Sequence, residues 1–191
     1  LCYSTGNTLI DKESLYLEMS KFFDSTITTS LFLNTLDELI DMGEIVEVDT
    51  LITLNNFYET EENIADFIMS IDKTSDLLDK EQILKYIEKY EKENSIIFNE
   101  EQKNAISGAL INNFFIISGG PGTGKTTIIK AIVDIYEKMN PRVTVNDITL
   151  LAPTGRAAKR ITESVGRKSS TIHKFLKWNK ETKEFNVNRF N

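Results

Sequence analysis

The stretch GGPGTGKT at residues 119–126 decides the fold of this chain. It fits the phosphate-loop pattern G-x-x-x-x-G-K-[ST], in which consecutive backbone N–H groups point at phosphate oxygens. Glycines suit such a loop because they adopt backbone angles that other residues resist and place no side chain in the path of the anion. The helix that follows adds a partial positive charge at its N-terminus. The stretch therefore predicts a binding site for a nucleoside triphosphate.

The loop residues have separate expected roles. Lys125 is placed to reach the β and γ phosphates, the Thr126 hydroxyl to ligate Mg²⁺, and Thr127 to touch the α phosphate. Lys125 and Thr126 are the predicted catalytic residues. The alternative is a glycine-rich turn that only joins a strand to a helix. The predicted nucleotide-binding residues of the loop are Gly120, Gly122, Thr123, Gly124, Lys125, Thr126 and Thr127.

The flanks of the loop predict the surrounding fold. Residues 114–118 (FFIIS) form an apolar run of buried-strand length, and residues 125–139 carry apolar side chains at helical spacing. Residues 148–152 (ITLLA) predict a second buried strand, and a helix is expected from Ala157 onward. Strand, helix, strand, helix in this order predicts an α/β domain with a parallel sheet and a ligand at the carboxyl ends of its strands.

The composition sets limits on the class of protein. The chain has 191 residues, of which 40% are hydrophobic, enough for one large or two small domains. Its one cysteine permits no internal disulfide, and no secretory or membrane-spanning segment is found. We therefore expect a cytoplasmic protein with no membrane partner. The missing initiator methionine and the charged final stretch suggest a piece of a longer chain.

Charge is strongly segregated along the sequence. Residues 1–98 contain 7 basic and 21 acidic side chains, whereas residues 151–191 contain 10 basic and 3 acidic ones. An acidic half repels nucleic acid and a basic segment attracts it. Only residues 151–191 are therefore expected to face a nucleic acid. The alternative for the basic segment is an ordinary solvated surface.

The first part of the chain predicts a small α+β module. Helices are expected near residues 12–23 and 31–42, followed after Gly43 by two extended runs and by a helix at about residues 59–71. Two helices and a β-hairpin suggest a winged-helix-like fold for residues 1–72, although no basic recognition helix is present for DNA. Residues 73–97 are then expected to form a linker with a charged helix that faces solvent on most sides. The second domain covers residues 98–191.

Four blocks together resemble one family. They are FNEEQKNAI at 98–106, GGPGTGKTT at 119–127, LAPTGRAAKR at 151–160 and STIHKFL at 170–176. These look like the opening motifs of superfamily 1 DNA helicases of the RecD-like branch, which includes the exodeoxyribonuclease V alpha subunit. The resemblance implies the front half of a RecA-like motor domain that uses ATP and Mg²⁺. It also implies movement along single-stranded DNA, 5′ to 3′, in repair and recombination.

The resemblance assigns further residues. A glutamine ahead of the phosphate loop recognises adenine in this family, and that role maps onto Gln102. The alternative is a capping box, because Gln102 stands three residues after Asn99 at the start of a helix. The single-strand contacts of the family map onto Thr154, Gly155, Arg156, Lys159, Thr171 and His173. Trp178, flanked by lysines, is a candidate for stacking on a base, with packing against the protein as the alternative.

Hydrolysis also needs a carboxylate at the end of a strand, and no apolar strand ending in Asp-Glu follows the phosphate loop. We therefore expect the 191 residues alone to bind nucleotide weakly and not to unwind DNA. The resemblance implies that the partners are single-stranded DNA and proteins of a nuclease complex or other repair proteins. Two alternatives stay open: a P-loop nucleotide or small-molecule kinase, and a protein-docking role for the N-terminal module.

Overall fold

The computed structural model describes residues 6–23, 27–71, 80–144 and 146–187. The chain divides into two compact units, Leu1–Ile71 and Asp72–Asn191. Within the described residues, none of the helices is both long enough and apolar enough to cross a bilayer.

The first unit combines helices with a three-stranded sheet. The strands lie in the order β1-β3-β2 and all pairs are antiparallel. Ile52 at the centre of the sheet packs with Phe32 and Leu36 in a small core. The elements are β1 (Ile10–Asp11), α1 (Lys12–Phe22), α2 (Thr29–Asp41), β2 (Ile45–Val48), β3 (Leu51–Leu54) and α3 (Asn55–Ile71).

Local signals explain where these elements begin and end. Asp11 caps α1 by accepting a 2.7 Å hydrogen bond from the Ser14 N–H. Hydrogen bonds from Ser14 lower the pKa of the Asp11 carboxyl. Gly43, with φ +74°, ends α2, since its N–H donates to Ile40 O and the next N–H donates to Leu39 O. The two predicted helices and the hairpin are thus present.

The helix α3 starts four residues earlier than expected. The second of the two extended runs, LITLNNFY at residues 51–58, was expected to be extended throughout, but β3 ends at Leu54 and α3 begins at Asn55. The Asn55 N–H still pairs with Glu44 O, while its side chain donates to Glu59 Oε1 at 3.1 Å. The end of the sheet therefore becomes the first turn of the helix.

The second unit is built mainly from helices around the phosphate loop. Strand β4 pairs with β5 in parallel, and β6 pairs with β7 in antiparallel. The predicted helices before and after the loop are present, and so is the predicted strand at residues 148–152, shortened to three residues. The elements are α4 (Lys80–Asn94), α5 (Glu100–Ile111), α6 (Lys125–Met139), β4 (Leu150–Ala152), α7 (Gly155–Val165), β5 (Ser169–Thr171), α8 (Ile172–Phe175), β6 (Trp178–Asn179) and β7 (Glu184–Phe185).

The charged helix expected within residues 73–97 is present as α4, and most of its residues are exposed, as expected for a helix that faces solvent on most sides. Ile83, Ile87 and Tyr90 of α4 are buried in the core of the second unit, where they pack with side chains of α5 and α6. These three residues are spaced by four and three positions, so they form one narrow apolar stripe on a helix that is otherwise charged. The high average charge of the segment concealed this stripe.

The strand expected at residues 114–118 is also absent. Residues 115–120 adopt no regular structure, and Ile116 is 73% exposed. Phe115 instead packs on α5, where a Cβ added at Gly108 would lie 2.4 Å from its ring. Among the described strands β4 pairs only with β5, so the backbone of this run has no partner strand.

Candidate functional site

The phosphate loop ends at a helix start that no side chain caps. Gly122 and Gly124 have φ angles of +79° and +85°, which glycine adopts without strain. Gly124 is the N-cap residue of α6 and has no side-chain acceptor for the first N–H groups of the helix. Those N–H groups have no partner within the helix, and they are free to bind an anion.

The side chains of the loop hold its backbone in a closed turn. Lys125 Nζ donates to the carbonyl oxygens of Gly119 and Gly120, both at 2.6 Å. Thr123 Oγ1 donates to Gly120 O at 2.9 Å. A phosphate group is negatively charged, so its oxygens compete well with these neutral carbonyls for the Lys125 ammonium.

Gln102 makes the capping box and also contacts the phosphate loop. Its N–H donates to Asn99 Oδ1 at 2.8 Å, and its Oε1 accepts from the Asn99 N–H at 3.1 Å. Its Nε2 donates to Thr123 O at 3.1 Å. A Cβ added at Gly124 would lie 2.8 Å from the same Nε2. The capping alternative is therefore present, and the amide also reaches the loop.

These features line one pocket of about 380 Å³. This volume is within the usual range for small-molecule sites. The pocket brings Gln102 together with Gly122, Thr123, Gly124 and Lys125 of the predicted set. Gly120, Thr126 and Thr127 are exposed and do not line it. The lining residues that were not in the predicted set are Asn99, Glu101, Ala105, Ile117, Ser118, Gly119 and Ile128.

The next predicted residues lie at two adjacent strand ends. Ala152 of β4 is opposite Thr171 of β5, and each strand leads into a helix. Thr154 Oγ1 accepts from the Ala157 N–H and caps α7, and Thr171 Oγ1 accepts from the Lys174 N–H and caps α8, both at 3.2 Å. Each cap occupies an acceptor position of the hydroxyl, whose proton can still be donated.

Exposed basic side chains follow the first of these turns. Gly155 and Arg156 form the exposed first turn of α7. Lys159, one turn later, is 3.9 Å from Glu163, a weak surface pair. These positions present positive charge beside the Thr154 cap.

His173 belongs to an aromatic cluster that sequence reasoning did not find. Its ring centroid lies 6.0 Å from that of Trp178 and 5.6 Å from that of Phe185, and the last two are 4.7 Å apart. Trp178 and Phe185 are paired across the β6–β7 hairpin. The packing alternative for Trp178 is thus present. The signal was in the sequence, since two aromatic residues flank a short polar turn.

Known proteins that are similar to this chain include RecD proteins. A model described as "AAA domain" matches residues 102–191. The ATP-dependent RecD2 DNA helicase of Deinococcus radiodurans is 38% identical over 78 residues, which cover 41% of this chain and 10% of the helicase. The RecBCD enzyme subunit RecD of Haemophilus influenzae is 42% identical over 64 residues, covering 34% of this chain and 10% of the subunit.

A third relative extends the similarity into the first unit. The uncharacterized protein MJ1519 of Methanocaldococcus jannaschii is 27% identical over 204 residues, covering 91% of this chain and 17% of that protein. The chain therefore spans between a tenth and a fifth of the length of these relatives. Residues 102–191 are thus similar to an AAA domain, and parts of the chain are similar to RecD proteins.

Proposed function

We propose that this chain is part of an ATP-dependent DNA helicase that acts in DNA repair and recombination. The observation that carries the proposal is the pocket in which the Gln102 amide meets the phosphate loop. An amide beside a phosphate-binding turn forms a site with two parts: the amide can contact the base of a nucleotide, and the turn can bind its triphosphate. Because the chain spans a tenth to a fifth of its relatives, the activity is assigned to a protein that contains it.

The loop residues fit a nucleoside triphosphate with Mg²⁺. Left-handed glycines, an uncapped helix N-terminus and a lysine held only by neutral carbonyls all favour a bound polyphosphate. Lys125 neutralises the phosphates, Thr127 contacts them from the first turn of α6, and Gln102 binds the adenine edge. Bound Mg²⁺ supplies charge neutralisation, and the exposed Thr126 hydroxyl offers it one oxygen ligand. The described residues contain no cluster of three carboxylate, histidine or cysteine groups for a metal.

The two capped strand ends provide the proposed contact with single-stranded DNA. Thr154 and Thr171 lie at neighbouring strand ends. Each hydroxyl accepts a hydrogen bond from a backbone N–H of the helix that it caps and can still donate its proton, for which a phosphate oxygen is a suitable acceptor. Gly155, Arg156 and Lys159 add backbone and charge contacts. His173 joins them through an aromatic cluster suited to bases. Translocation 5′ to 3′ is part of this proposal and rests on the family resemblance.

We also propose how the 191 residues divide into parts. Residues 98–191 form the first half of a RecA-like motor domain, and residues 1–72 form a winged-helix-like module. Residues 73–97 form the connecting segment, whose helix α4 packs into the core of the second unit. The order of two helices, a hairpin and a third strand paired with it supports the winged-helix-like assignment. Single-stranded DNA and nuclease-complex or other repair proteins are the proposed partners.

Nucleotide binding tests the loop assignment directly. Titration of the 191-residue chain with a fluorescent ATP analogue should give saturable binding that Lys125→Ala weakens at least tenfold, since the charge on the phosphates loses its partner. Lys130→Ala, which removes the same charge one turn further along α6, is the matched control. Equal affinities for the two variants would overturn the assignment of Lys125.

Hydrolysis tests the helicase assignment. In a protein that contains this chain with the rest of a motor, ATP turnover should rise strongly when single-stranded DNA is added. The 191 residues alone should show no turnover. An ATP turnover rate that does not change when DNA is added would contradict the helicase assignment. It would favour a P-loop kinase that acts on nucleotides or small molecules, since such a kinase needs no DNA for catalysis.

A further inference from the structure

The first unit contains an open apolar groove between α1, α2 and the start of β2. Its volume is about 290 Å³. Buried Phe32 and Leu36 form the floor, and Leu15 and Met19 of α1 form one wall. Leu31 of α2 lies at the rim and is 57% exposed. Among the described residues that line the groove, one threonine is the only polar one. The volume of the groove lies at the lower limit of the range for small-molecule sites.

The unit around this groove is strongly acidic. Residues 1–71 contain two lysines, no arginine and fourteen aspartate or glutamate residues. Both lysines are already paired: Lys12 Nζ is 2.7 Å from Glu47 Oε1, and Lys21 Nζ is 2.7 Å from Glu18 Oε1. Both lysine charges of the unit are therefore neutralised locally, and within the described residues of the unit most carboxylates form no ion pair.

Some of these carboxylates stand at the edge of the groove. Glu38 precedes the lining residue Leu39 and follows Leu31 by seven positions, which places it two helical turns along the same edge of α2. Glu44 immediately precedes Ile45, another lining residue. In the described part of the unit, neither glutamate forms an ion pair. An apolar trough with carboxylates beside it suits a ligand that is apolar on one side and cationic on the other.

We propose that this groove is the docking site for a basic amphipathic helix of a partner protein. Charge selects this occupant among the alternatives. A nucleic acid or an anionic membrane would be repelled by the acidic surface, and a second copy of the unit carries the same excess of carboxylates. A helix with leucine-like anchors three and four residues apart, flanked by lysine or arginine, matches both the apolar lining and the charge of the rim.

A designed peptide serves as the probe. The peptide contains only leucine and lysine, with leucines at amphipathic helical spacing, and carries a fluorescent label for anisotropy measurements with the 191-residue chain. A scrambled peptide of the same composition and a leucine–glutamate peptide of the same pattern are its controls. The patterned lysine peptide should bind at least tenfold more tightly than either control.

Matched variants on α2 locate the binding site. Leu31→Lys changes the groove rim, whereas Leu33→Lys makes the same change at an exposed position of α2 outside the groove. Glu38→Lys and Asp37→Lys form a second pair with identical charge change. We expect about a tenfold loss of affinity for Leu31→Lys and Glu38→Lys, and less than a twofold loss for the two controls. All four positions are exposed, and circular dichroism verifies that each variant remains folded.

Three results would overturn the proposal. Equal losses within each matched pair would mean a diffuse attraction between opposite charges. Equal binding of the glutamate peptide would mean an apolar site without charge selection. Self-association of the chain in sedimentation velocity, abolished by Leu31→Lys, would make a second copy the occupant. None of these readouts depends on ATP, so they are independent of the function proposed for the second unit.

Discussion

Gln102 shows how one side chain serves two neighbouring structures. Its Oε1 belongs to the capping box of α5, and its Nε2 holds the carbonyl of Thr123 in the phosphate loop. The capping pattern was visible in the sequence because it is local. The contact with Thr123, which is 21 residues away, was not, because it depends on how α5 packs beside the loop. The amide therefore acts as a positioning group for the loop, in addition to its proposed contact with adenine.

The first prediction concerns Gln102→Glu. The carboxylate keeps an acceptor for the Asn99 N–H but loses the donor to Thr123 O, so the helix start remains and the loop contact is lost. We expect binding of both ATP and GTP to weaken about tenfold, corresponding to roughly 1–2 kcal/mol, with a larger loss for ATP. Titration with fluorescent analogues of the two nucleotides measures this.

Asn99→Asp is the control for Gln102→Glu. It adds the same negative charge to the pocket while it keeps the oxygen that accepts from the Gln102 N–H. We expect a smaller loss of affinity in this variant, because the bond to Thr123 is intact. If Gln102→Glu left GTP binding unchanged, the side chain would act on adenine alone, and its role in positioning the loop would be refuted.

At the scale of elements, the sequence predicted most helices of the second unit, including α4, but it did not predict the buried stripe of α4, and it assigned residues 114–118 incorrectly. The start of a helix and its end at a glycine are determined by a few adjacent residues, so both can be identified without the rest of the fold. Burial of the Ile83–Ile87 stripe depends on α5 and α6, which pack against it. A strand needs a neighbour for its hydrogen bonds, and apolar composition at residues 114–118 does not supply one.

Tyr90 gives α4 a testable pH dependence. Burial, then the negative charge of Asp134 and then a 3.3 Å hydrogen bond to that carboxylate raise the pKa of Tyr90 to about 12. The neutral phenol is therefore favoured in the folded state. Its full contribution to stability is present below pH 10, the ordinary pKa, and is lost as the pH rises toward 12.

We expect the free energy of unfolding to fall between pH 10 and 12 by an amount on the order of 2 kcal/mol from this group. In Tyr90→Phe that part of the decrease should disappear. Urea unfolding at pH 8, 10, 11 and 12 measures it, and ultraviolet absorbance follows tyrosine ionisation. Tyr86→Phe, one turn earlier on α4, is the control. An unchanged pH dependence in Tyr90→Phe would show that the phenol ionises equally easily in the folded and unfolded chains.

Across the whole chain, charge separates two kinds of surface. The acidic side chains are concentrated in residues 1–98 and the basic ones in residues 151–191, so the net charge of −7 describes neither part. The sequence alone revealed this separation, because it is a property of composition. The fold adds the positions of charged side chains, which lie beside an apolar groove in one unit and beside two capped strand ends in the other.

The last prediction is that single-stranded DNA binds to the basic strand ends rather than responding to net charge. Binding of a thymidine oligonucleotide by the 191-residue chain should weaken with salt, with a slope of about −0.7 in log–log form per phosphate contacted. Arg156→Ala should make that slope shallower by about 0.7. Lys85→Ala removes the same charge from an exposed position on α4 and should leave the slope unchanged. Equal effects of the two variants would mean that DNA senses only the total charge, and would refute the assignment of Arg156.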